Sequence, residues 1–269
     1  MIRRIAEAIL ILALSIGTTL TCAEVCISMP GLTVLADDSG AELIPAGLCD
    51  DIFTVREGAL YAAGDKDGYR LFDASGQMVS GERFAMVRDA GDCLIFRRGG
   101  RFGAMDYDGA TILEPVWTQL VSDGARGFLA LNGDPLDDQP DELVRIDAGR
   151  DARTTGVFVL GGLGTIADDR MPFMGADGRY GAVNARGEIA IEPVWRYIGT
   201  FEGGLAVAES ESGRGIINAD GSIALPMEYA WLDRSGAMIA GLTSSGAVDV
   251  YTPGGALAFT LEGRQACLV

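Results

Sequence analysis

A glycine that closes a turn recurs along the whole chain and constrains its fold more than any other feature. The segment GRYGAVNARGEIAIEPVW at 178–195 nearly repeats GRFGAMDYDGATILEPVW at 100–117. Each carries a glycine three residues after Asp or Asn, and other segments carry a glycine in the same phase. The series, with spacings of 33–40 residues, is Gly40, Gly76, Gly109, Gly149, Gly187, Gly221 and Gly255. A period in this range is typical of a repeat architecture.

Two further landmarks keep their distance from the turn glycine. An Asp or Asn stands three residues before it, at Asp37, Asp73, Asp106, Asn184 and Asn218. An apolar residue stands eight residues after it, at Leu48, Phe84, Trp117, Val157, Trp195 and Tyr229. An Asx side chain at the start of a β-turn bonds the backbone across the turn, and glycine accepts the conformation that follows. We expect Trp117 and Trp195 to be core residues, one large residue per repeat.

The segments between these landmarks are predicted to be short strands. They are β-branched or alternate apolar with polar residues, and Gly, Asn or Pro bounds them. Each repeat then has two strands joined by the turn and a third strand after a loop. One such unit cannot bury its apolar face alone, so neighbouring units must pack together. The pattern predicts an all-β fold of about seven three-stranded repeats of roughly 35 residues. We favour a propeller-like ring, with an open β-solenoid as the alternative.

The repeats resemble WG repeats. That family's pattern has an aromatic–Gly pair, an Asx–x–x–Gly turn, an apolar strand with Pro and an aromatic residue, and Phe–x–x–Gly–Leu–Ala–x–Val. The segment RYGAVNARGEIAIEPVWRYIGTFEGGLAV matches nearly throughout, and the strong matches cover 100–132 and 178–244. Tyr180 and Phe102 replace the Trp of the family name, and Arg214 replaces the aromatic residue altogether. The resemblance implies an all-β repeat fold without general enzymatic activity.

The N-terminus has the pattern of a secretory signal. Two arginines precede the apolar run ILILALSIGTTL, and small residues follow. The apolar run is shorter than the roughly 20 residues that span a bilayer. We therefore expect a signal peptide at 1–23 and a β-repeat domain at 24–269 without a transmembrane span, in the periplasm or secreted. Lipidation of Cys22 and an uncleaved N-terminal membrane anchor are the alternatives.

Charge and composition limit the classes of partner. The net charge is −17 and the chain has no His. An acidic protein repels nucleic acid and anionic lipid surfaces, so neither is an expected partner. Without His, the commonest general base and metal ligand is missing, and we expect no cofactor and no catalytic residue.

Four cysteines remain after position 23: Cys26, Cys49, Cys93 and Cys267. An even number in an exported protein allows two disulfides. EVCIS and QACLV both fit the third strand of a repeat, and the two ends would meet in a ring. We therefore predict a Cys26–Cys267 bond, with Cys49 and Cys93 as a second pair or as buried thiols. Peptide mapping without reduction distinguishes these pairings.

Two features are candidate ligand contacts. The loop at 133–143 carries Asp134, Asp137 and Asp138 among five carboxylates, but their spacing is not that of a calcium-binding EF-hand loop. A solvated acidic loop is the favoured interpretation. Trp231 lies two residues beyond the repeated aromatic position, which makes it the best candidate for an exposed aromatic side chain.

These observations favour a non-catalytic binding or scaffold module of the cell envelope, with an unknown protein or glycan as partner. The alternative is a glycan-acting hydrolase with carboxylates in a central funnel. A Ca²⁺-stabilised structural protein is a third hypothesis. An enzyme requires carboxylates that depart from the repeat pattern and face one cavity, whereas a scaffold requires only exposed loops.

Overall fold

The computed structural model describes residues 24–29, 32–37, 39–45, 48–134, 137–235, 238–252 and 255–262. These residues form 26 β-strands. Among them there is no helix of the length and apolarity needed to cross a membrane. The chain divides into two compact units, Met1–Val116 and Trp117–Val269.

The first unit contains three sheets, the third of which ends at the boundary. Sheet one consists of β1 (Glu24–Met29), β2 (Leu32–Asp37) and β3 (Glu42–Ile44). Sheet two consists of β4 (Asp51–Arg56), β5 (Leu60–Asp65), β6 (Gly68–Asp73) and β7 (Met78–Phe84). Sheet three consists of β8 (Met86–Asp89), β9 (Leu94–Arg98), β10 (Arg101–Met105) and β11 (Thr111–Trp117).

The second unit contains four sheets. Sheet four consists of β12 (Gln119–Ser122), β13 (Phe128–Leu131), β14 (Asp141–Ile146) and β15 (Ala152–Val159). Sheet five consists of β16 (Met171–Met174), β17 (Tyr180–Val183) and β18 (Ile189–Trp195). Sheet six consists of β19 (Tyr197–Ile198), β20 (Leu205–Glu209), β21 (Arg214–Asn218) and β22 (Ile223–Tyr229). Sheet seven consists of β23 (Trp231–Ser235), β24 (Met238–Leu242), β25 (Val248–Tyr251) and β26 (Leu257–Leu261).

Every sheet is a meander in which each strand pairs with the next strand along the chain. The all-β class and the seven repeats are therefore confirmed. Five of the sheets have four strands instead of the predicted three. In four of these five sheets, a single residue, such as Arg196, separates the first strand from the last strand of the preceding sheet. Four-stranded antiparallel meanders are the sheets from which propellers are built. Closure into a ring, like the open solenoid, stays a prediction.

The Asx–Gly turns have the predicted chemistry. In the turn after β17, the Oδ1 of Asn184 accepts hydrogen bonds from the amides of Arg186 (2.9 Å) and Glu188 (3.0 Å). The amide of Gly187 donates to the carbonyl of Asn184, and its φ is 77°. An L side chain rarely adopts this left-handed conformation, so glycine is favoured at the fourth position of the turn.

The fourth repeat departs from the predicted register by one residue. The amide of Arg150, not of Gly149, donates to the carbonyl of Asp147 (2.9 Å). Arg150 has the left-handed φ of 72° that glycine has in the other turns. Gly149 is therefore the third residue of this turn, not the fourth. The segment IDAG resembles the other turns in sequence, but Asp147 opens this turn and Arg150 occupies its fourth position.

Replacing Arg150 with Gly is expected to stabilise the protein. A left-handed backbone costs an L residue about 1–2 kcal/mol relative to glycine, and the greater freedom of glycine in the unfolded chain offsets about half of that. We expect the free energy of unfolding to rise by up to about 1 kcal/mol in urea denaturation. Gly149→Ala is the control, since Gly149 lacks a left-handed φ. A loss of stability in Arg150→Gly would contradict this account of the turn.

Apolar clusters fill the space between successive sheets within each unit. In the first unit, Leu35 and Ile44 of sheet one pack with Tyr61 of sheet two, and a second cluster joins sheets two and three. In the second unit, separate clusters join sheets four and five, five and six, and six and seven. Within each unit, successive sheets thus bury apolar residues against each other, as repeat packing requires.

The repeated position eight residues after the turn glycine is less uniform than predicted. Phe84 and Tyr229 are buried, whereas Trp117 and Trp195 are only half-buried and Leu48 is 54% exposed. Trp195 ends the last strand of its sheet and packs, half-buried, against the cluster that joins sheets five and six. Leu48 lies beyond the end of the short strand β3. The interpretation of both tryptophans as core residues was therefore too strong.

The cysteine and signal-peptide predictions fall partly outside the described residues. Cys49 and Cys93 are buried, and whether they pair stays a prediction. The side chain of Cys26 and the whole of Cys267 lie outside the described residues, as does the segment 1–23. The Cys26–Cys267 bond and the signal peptide stay predictions.

Candidate functional site

Four side chains form a row across sheet six. Tyr197 of β19 is directly opposite Glu209 of β20, and Glu209 is opposite Arg214 of β21. Arg214 is in turn opposite Tyr229 of β22. Directly opposed residues of antiparallel strands project from the same face of a sheet, so the row lies on one face.

The row faces sheet seven. Tyr229 packs in one cluster with Leu232, Ile239 and Tyr251, which all belong to sheet seven. The other face of sheet six packs on sheet five through residues such as Ile198. The polar part of the row therefore lies at the edge of the interface between sheets six and seven.

An open groove of about 350 Å³ runs along this edge. Its lining combines part of the row with the β20–β21 turn and the start of sheet seven: Glu209, Ser212, Gly213, Arg214, Glu228, Tyr229, Ala230 and Ser244. This volume is at the lower end of the range for small-ligand sites.

Arg214 and Glu209 form an ion pair within the groove. The Nε of Arg214 donates to the Oε2 of Glu209 at 2.9 Å, and the side chains are 37% and 29% exposed. This bond leaves the two terminal NH₂ groups of the guanidinium to face other acceptors. Equivalent positions in other sheets hold Tyr69, Phe102 and Tyr180, so the ion pair replaces an aromatic contact of the repeat.

Tyr197 extends the row beyond Glu209 and is 44% exposed. Its ring meets that of Tyr180 edge-on, with centroids 5.6 Å apart. A Cβ atom added at Gly199 would lie 3.6 Å from the Tyr197 ring, so the ring lies close to this glycine. These contacts hold the ring in a defined place at the β19 end of the row, against Tyr180 of sheet five and outside the lining of the groove.

The buried side of the groove is a hydrogen-bonded network. The hydroxyls of Tyr229 and Tyr251 bond each other, and the Tyr229 hydroxyl also donates to the Oδ2 of Asp249 at 3.3 Å. Thr260 donates to the Oδ1 of Asp249 at 2.6 Å. Burial, followed by the bond to Tyr251, raises the pKa of Tyr229 well above its usual value of 10.0. Tyr229 is therefore neutral at physiological pH, and its two hydrogen-bond partners hold the side chain in place.

Trp231 is exposed as predicted but does not enter this groove. It is 39% exposed and begins β23, directly opposite Leu242. The next residue, Leu232, packs towards sheet six, so Trp231 projects from the other face of sheet seven. Trp231 occupies a second repeated position, ten residues after a turn glycine. It follows Gly221 by ten residues, as Tyr197 follows Gly187. Its role as a ligand contact stays a prediction.

The acidic loop lies at the β13–β14 connection of sheet four. Asp134, Asp137 and Asp138 are exposed, and the Oδ1 of Asp137 accepts from the amide of Gln139 at 3.2 Å. Burial, followed by the charges of Asp137 and Asp134, raises the pKa of Asp141. Among the described residues, no group of three or more acidic, Cys or His side chains has a geometry that could hold a metal ion. The loop therefore supplies no observation that favours a calcium site.

Two members of the row were not predicted from the sequence, Tyr197 and Glu209. The signal for Tyr197 was its spacing of ten residues from the turn glycine. The signal for Glu209 was the short ESESGR segment, because a hairpin there places Glu209 opposite Arg214. The departure of Arg214 from the aromatic pattern is visible in the sequence alone.

The described chain is thus a repeat protein of blade-like β-sheets with a polar groove in sheet six. Residues 180–211 match the family described as WG containing repeat. The resemblance to WG repeats is confirmed for this segment, which contains Tyr197 and Glu209. No curated protein matches the chain.

Solved structures similar to the chain have low sequence identity. The computationally designed Ika8 protein has a TM-score of 0.45 and 11% identity, over 92% of this chain and 86% of that one. The Cps50 (Swd1) beta-propeller domain of Myceliophteria thermophila has a TM-score of 0.40 and 17% identity, over 81% and 87%. Hsv2 of Kluyveromyces lactis has a TM-score of 0.42 and 9% identity, over 76% and 73%.

Proposed function

We propose that the protein is a non-catalytic binding module of the cell envelope and that the groove of sheet six holds its ligand. The observation that carries this proposal is the Glu209–Arg214 pair. A half-exposed ion pair replaces an aromatic contact of the repeat and lines a groove, and the exposed ring of Tyr197 belongs to the same row. Polar residues that depart from a repeat and converge on one concave surface favour recognition over packing.

The chemistry of the groove favours binding over catalysis. Glu209 is occupied by Arg214, and the hydroxyl of Tyr229 is occupied by Tyr251 and Asp249. The chain has no His to act as a general base. The charged groups near the groove are therefore suited to hold hydroxyl or amide groups of a ligand.

A retention experiment tests the proposed function. Immobilised wild-type protein is incubated with an envelope extract, and retained proteins and neutral sugars are quantified. Arg214→Phe restores the aromatic residue of the other repeats and is expected to abolish the specific retention. Arg186→Ala removes an exposed arginine that is also ion-paired and serves as the matched control. Equal retention by wild type and Arg214→Phe would show that the groove is not the binding site.

Location in the envelope rests on the pattern of residues 1–23. On expression in a Gram-negative host, we expect the protein in the osmotic-shock fraction with Glu24 as its N-terminus. A variant without residues 2–23 should stay in the cytoplasm. A lipid on Cys22, or an intact Met1 in the membrane fraction, would instead support one of the two alternatives to cleavage.

A second candidate function is glycan hydrolysis, because two carboxylates, Glu209 and Glu228, line the same groove. Glycoside hydrolases use paired carboxylates as acid and as base or nucleophile. If the protein is such an enzyme, reducing ends must appear when it is incubated with oligosaccharides, and Glu228→Gln must lose this activity. We expect no release of reducing ends by wild type or by either Glu→Gln variant.

A further inference from the structure

We infer that the ligand of the groove is an uncharged saccharide chain. This inference rests on the proposed function and adds the chemical class of the ligand. It follows from three properties of the row, namely an aromatic ring in line with paired polar groups, a balance of charge, and the width of the row across three strands.

The first property is the combination of groups in one row. A pyranose ring has an apolar C–H face and hydroxyls around its rim, so it stacks on an aromatic ring while bonding polar groups at its edge. Tyr197 offers a partly exposed ring with few internal degrees of freedom. Next to it, Glu209 accepts hydrogen bonds and Arg214 donates them. Carboxylate and guanidinium groups each engage two neighbouring hydroxyls, and bonds to charged groups are stronger than neutral ones.

The second property is the charge balance. Glu209 and Arg214 neutralise each other within the row, so neither an anion nor a cation gains a full charge pair there without breaking the bond between them. Glu228 adds a negative charge to the lining, and the whole chain is strongly acidic. An acidic saccharide, a phosphate or an acidic peptide would be repelled. An uncharged polar ligand avoids this cost.

The third property is the width of the row. The groove lies at the Arg214 end of the row and is bounded by the buried Tyr229 side chain, and Tyr197 lies at the other end. Neighbouring strands are about 4.8 Å apart, so Tyr197 on β19 lies about 10 Å from the backbone of Arg214 on β21. A single small molecule would reach only part of this row. A chain of two or more sugar units would contact the ion pair and the ring together.

Titration calorimetry tests the ligand class with three uncharged tetrasaccharides: chitotetraose, cellotetraose and maltotetraose. The charged controls are a tetramer of galacturonic acid and an acidic tetrapeptide. We expect wild type to bind at least one uncharged tetramer with a Kd of about 1 mM or below and to bind neither charged probe. Tyr197→Ala and Arg214→Phe are each expected to weaken binding by about tenfold or more, whereas Arg186→Ala binds like wild type.

Two variants keep the outcome interpretable. Arg214→Phe has the aromatic residue that the other repeats accommodate, and its melting temperature is compared with that of wild type. Tyr197→Ala removes a ring that is 44% exposed but contacts Tyr180, so its melting temperature is compared in the same way. The inference is overturned if no uncharged tetramer binds at about 10 mM, if a charged probe binds more tightly, or if both variants bind like wild type. Retention of a protein from the envelope extract that depends on Arg214, without saccharide binding, would reject the saccharide but leave the proposed function in place. Loss of both results would reject both proposals.

Discussion

Replacing Arg145 with Ala is expected to lower the free energy of unfolding by about 3–5 kcal/mol. Arg145 of β14 and Asp123, which follows β12, form the most buried ion pair among the described residues, with side chains 11% and 8% exposed. Removing one partner of a buried pair leaves the other charge without compensation, which costs about this much. Guanidinium denaturation of wild type and variant measures the difference.

The geometry around Arg145 explains why this pair has more weight than a surface ion pair. One terminal nitrogen of Arg145 bonds the Oδ2 of Asp123 at 2.7 Å. The Oδ1 of Asp123 accepts from the amides of Ala125 (2.7 Å) and Gly127 (2.9 Å). A side chain at Gly127 would overlap the guanidinium, so this glycine leaves the space that Arg145 fills. The pair therefore fixes the turn between β12 and β13 as well as the charges.

A matched control comes from Arg186 and Glu188, which are 3.1 Å apart but 70% and 59% exposed. Exposed pairs contribute about 0–1 kcal/mol, so Arg186→Ala should change stability little. A loss below about 1 kcal/mol in Arg145→Ala, or equal losses in the two variants, would contradict the role of burial.

The same pair makes the free energy of unfolding depend on pH in the acid range. Burial alone would raise the pKa of Asp123, but the amide of Ala125, the guanidinium of Arg145 and the amide of Gly127 hold that pKa below the usual 3.8. A carboxylate with a lowered pKa in the folded state stabilises the protein above its unfolded value. This contribution is lost as the pH falls from 3.8 through the lower folded value. In Arg145→Ala this loss below pH 3.8 should be smaller.

The parts of the fold that depend on local chemistry were predictable from the sequence. The Asx–Gly turns and the alternating strands follow from interactions within a few residues, so the seven repeats were correctly found. The fourth strand was missed because its boundary is a one-residue bend, such as Arg196, that leaves no break in the apolar pattern. Arg150 was missed because an L residue in a left-handed turn has no positive signal of its own.

The groove depends on pairing between strands, which local patterns do not reveal. Arg214 was recognised as a departure from the aromatic position, but its partner Glu209 is defined only by the register of β20 and β21. Tyr197 and Trp231 share a spacing, yet they project from their sheets in different surroundings. A sequence pattern finds the polar residue that departs from the repeat, and strand register decides what that residue meets.

Replacing Gly181 with Ala is expected to cost about 2–3 kcal/mol, the second large effect. Gly181 is the glycine of the aromatic–Gly pair of the repeat. A Cβ atom there would lie 2.5 Å from the carbonyl oxygen of Ile191 and 2.9 Å from the nitrogen of Pro193. Both atoms belong to the backbone of β18 and cannot move aside without shifting the strand. Forcing extra volume into such a site costs about 1–3 kcal/mol, and a contact with backbone lies at the upper end.

The close approach at Gly181 arises from an irregular pairing of β17 and β18. Tyr180 pairs with Trp195 and Ala182 with Ile191, so β18 uses more residues than β17 across this stretch and bows towards Gly181. Pro193 fits there because a bulge does not require its missing N–H. Sheet three has the same combination, with Gly103 close to Pro115. Sheet two has Arg70 at the glycine position, and its last strand, β7, contains no proline. In these three sheets, the glycine therefore occurs where the facing strand has a proline, and it is absent where that proline is absent.

Gly81→Ala is the control for this device. Gly81 lies within β7, and no atom comes within 4 Å of a Cβ placed there. Alanine should be tolerated or should stabilise slightly, because glycine in a strand costs about 0.5–1 kcal/mol relative to alanine. Thermal and urea unfolding of both variants give the comparison.

Equal stability of Gly181→Ala and Gly81→Ala would contradict this account. The two strands would then separate freely at the bulge, and the repeated spacing of turn, proline and aromatic residue in this chain would need another cause. If Gly181→Ala alone is destabilised, the glycine of the aromatic–Gly pair acts through the backbone of the facing strand. The close approach of the strands then does not depend on the side chain before the glycine. For this reason Arg214, which precedes Gly215 in sheet six, can replace the aromatic residue of the other repeats.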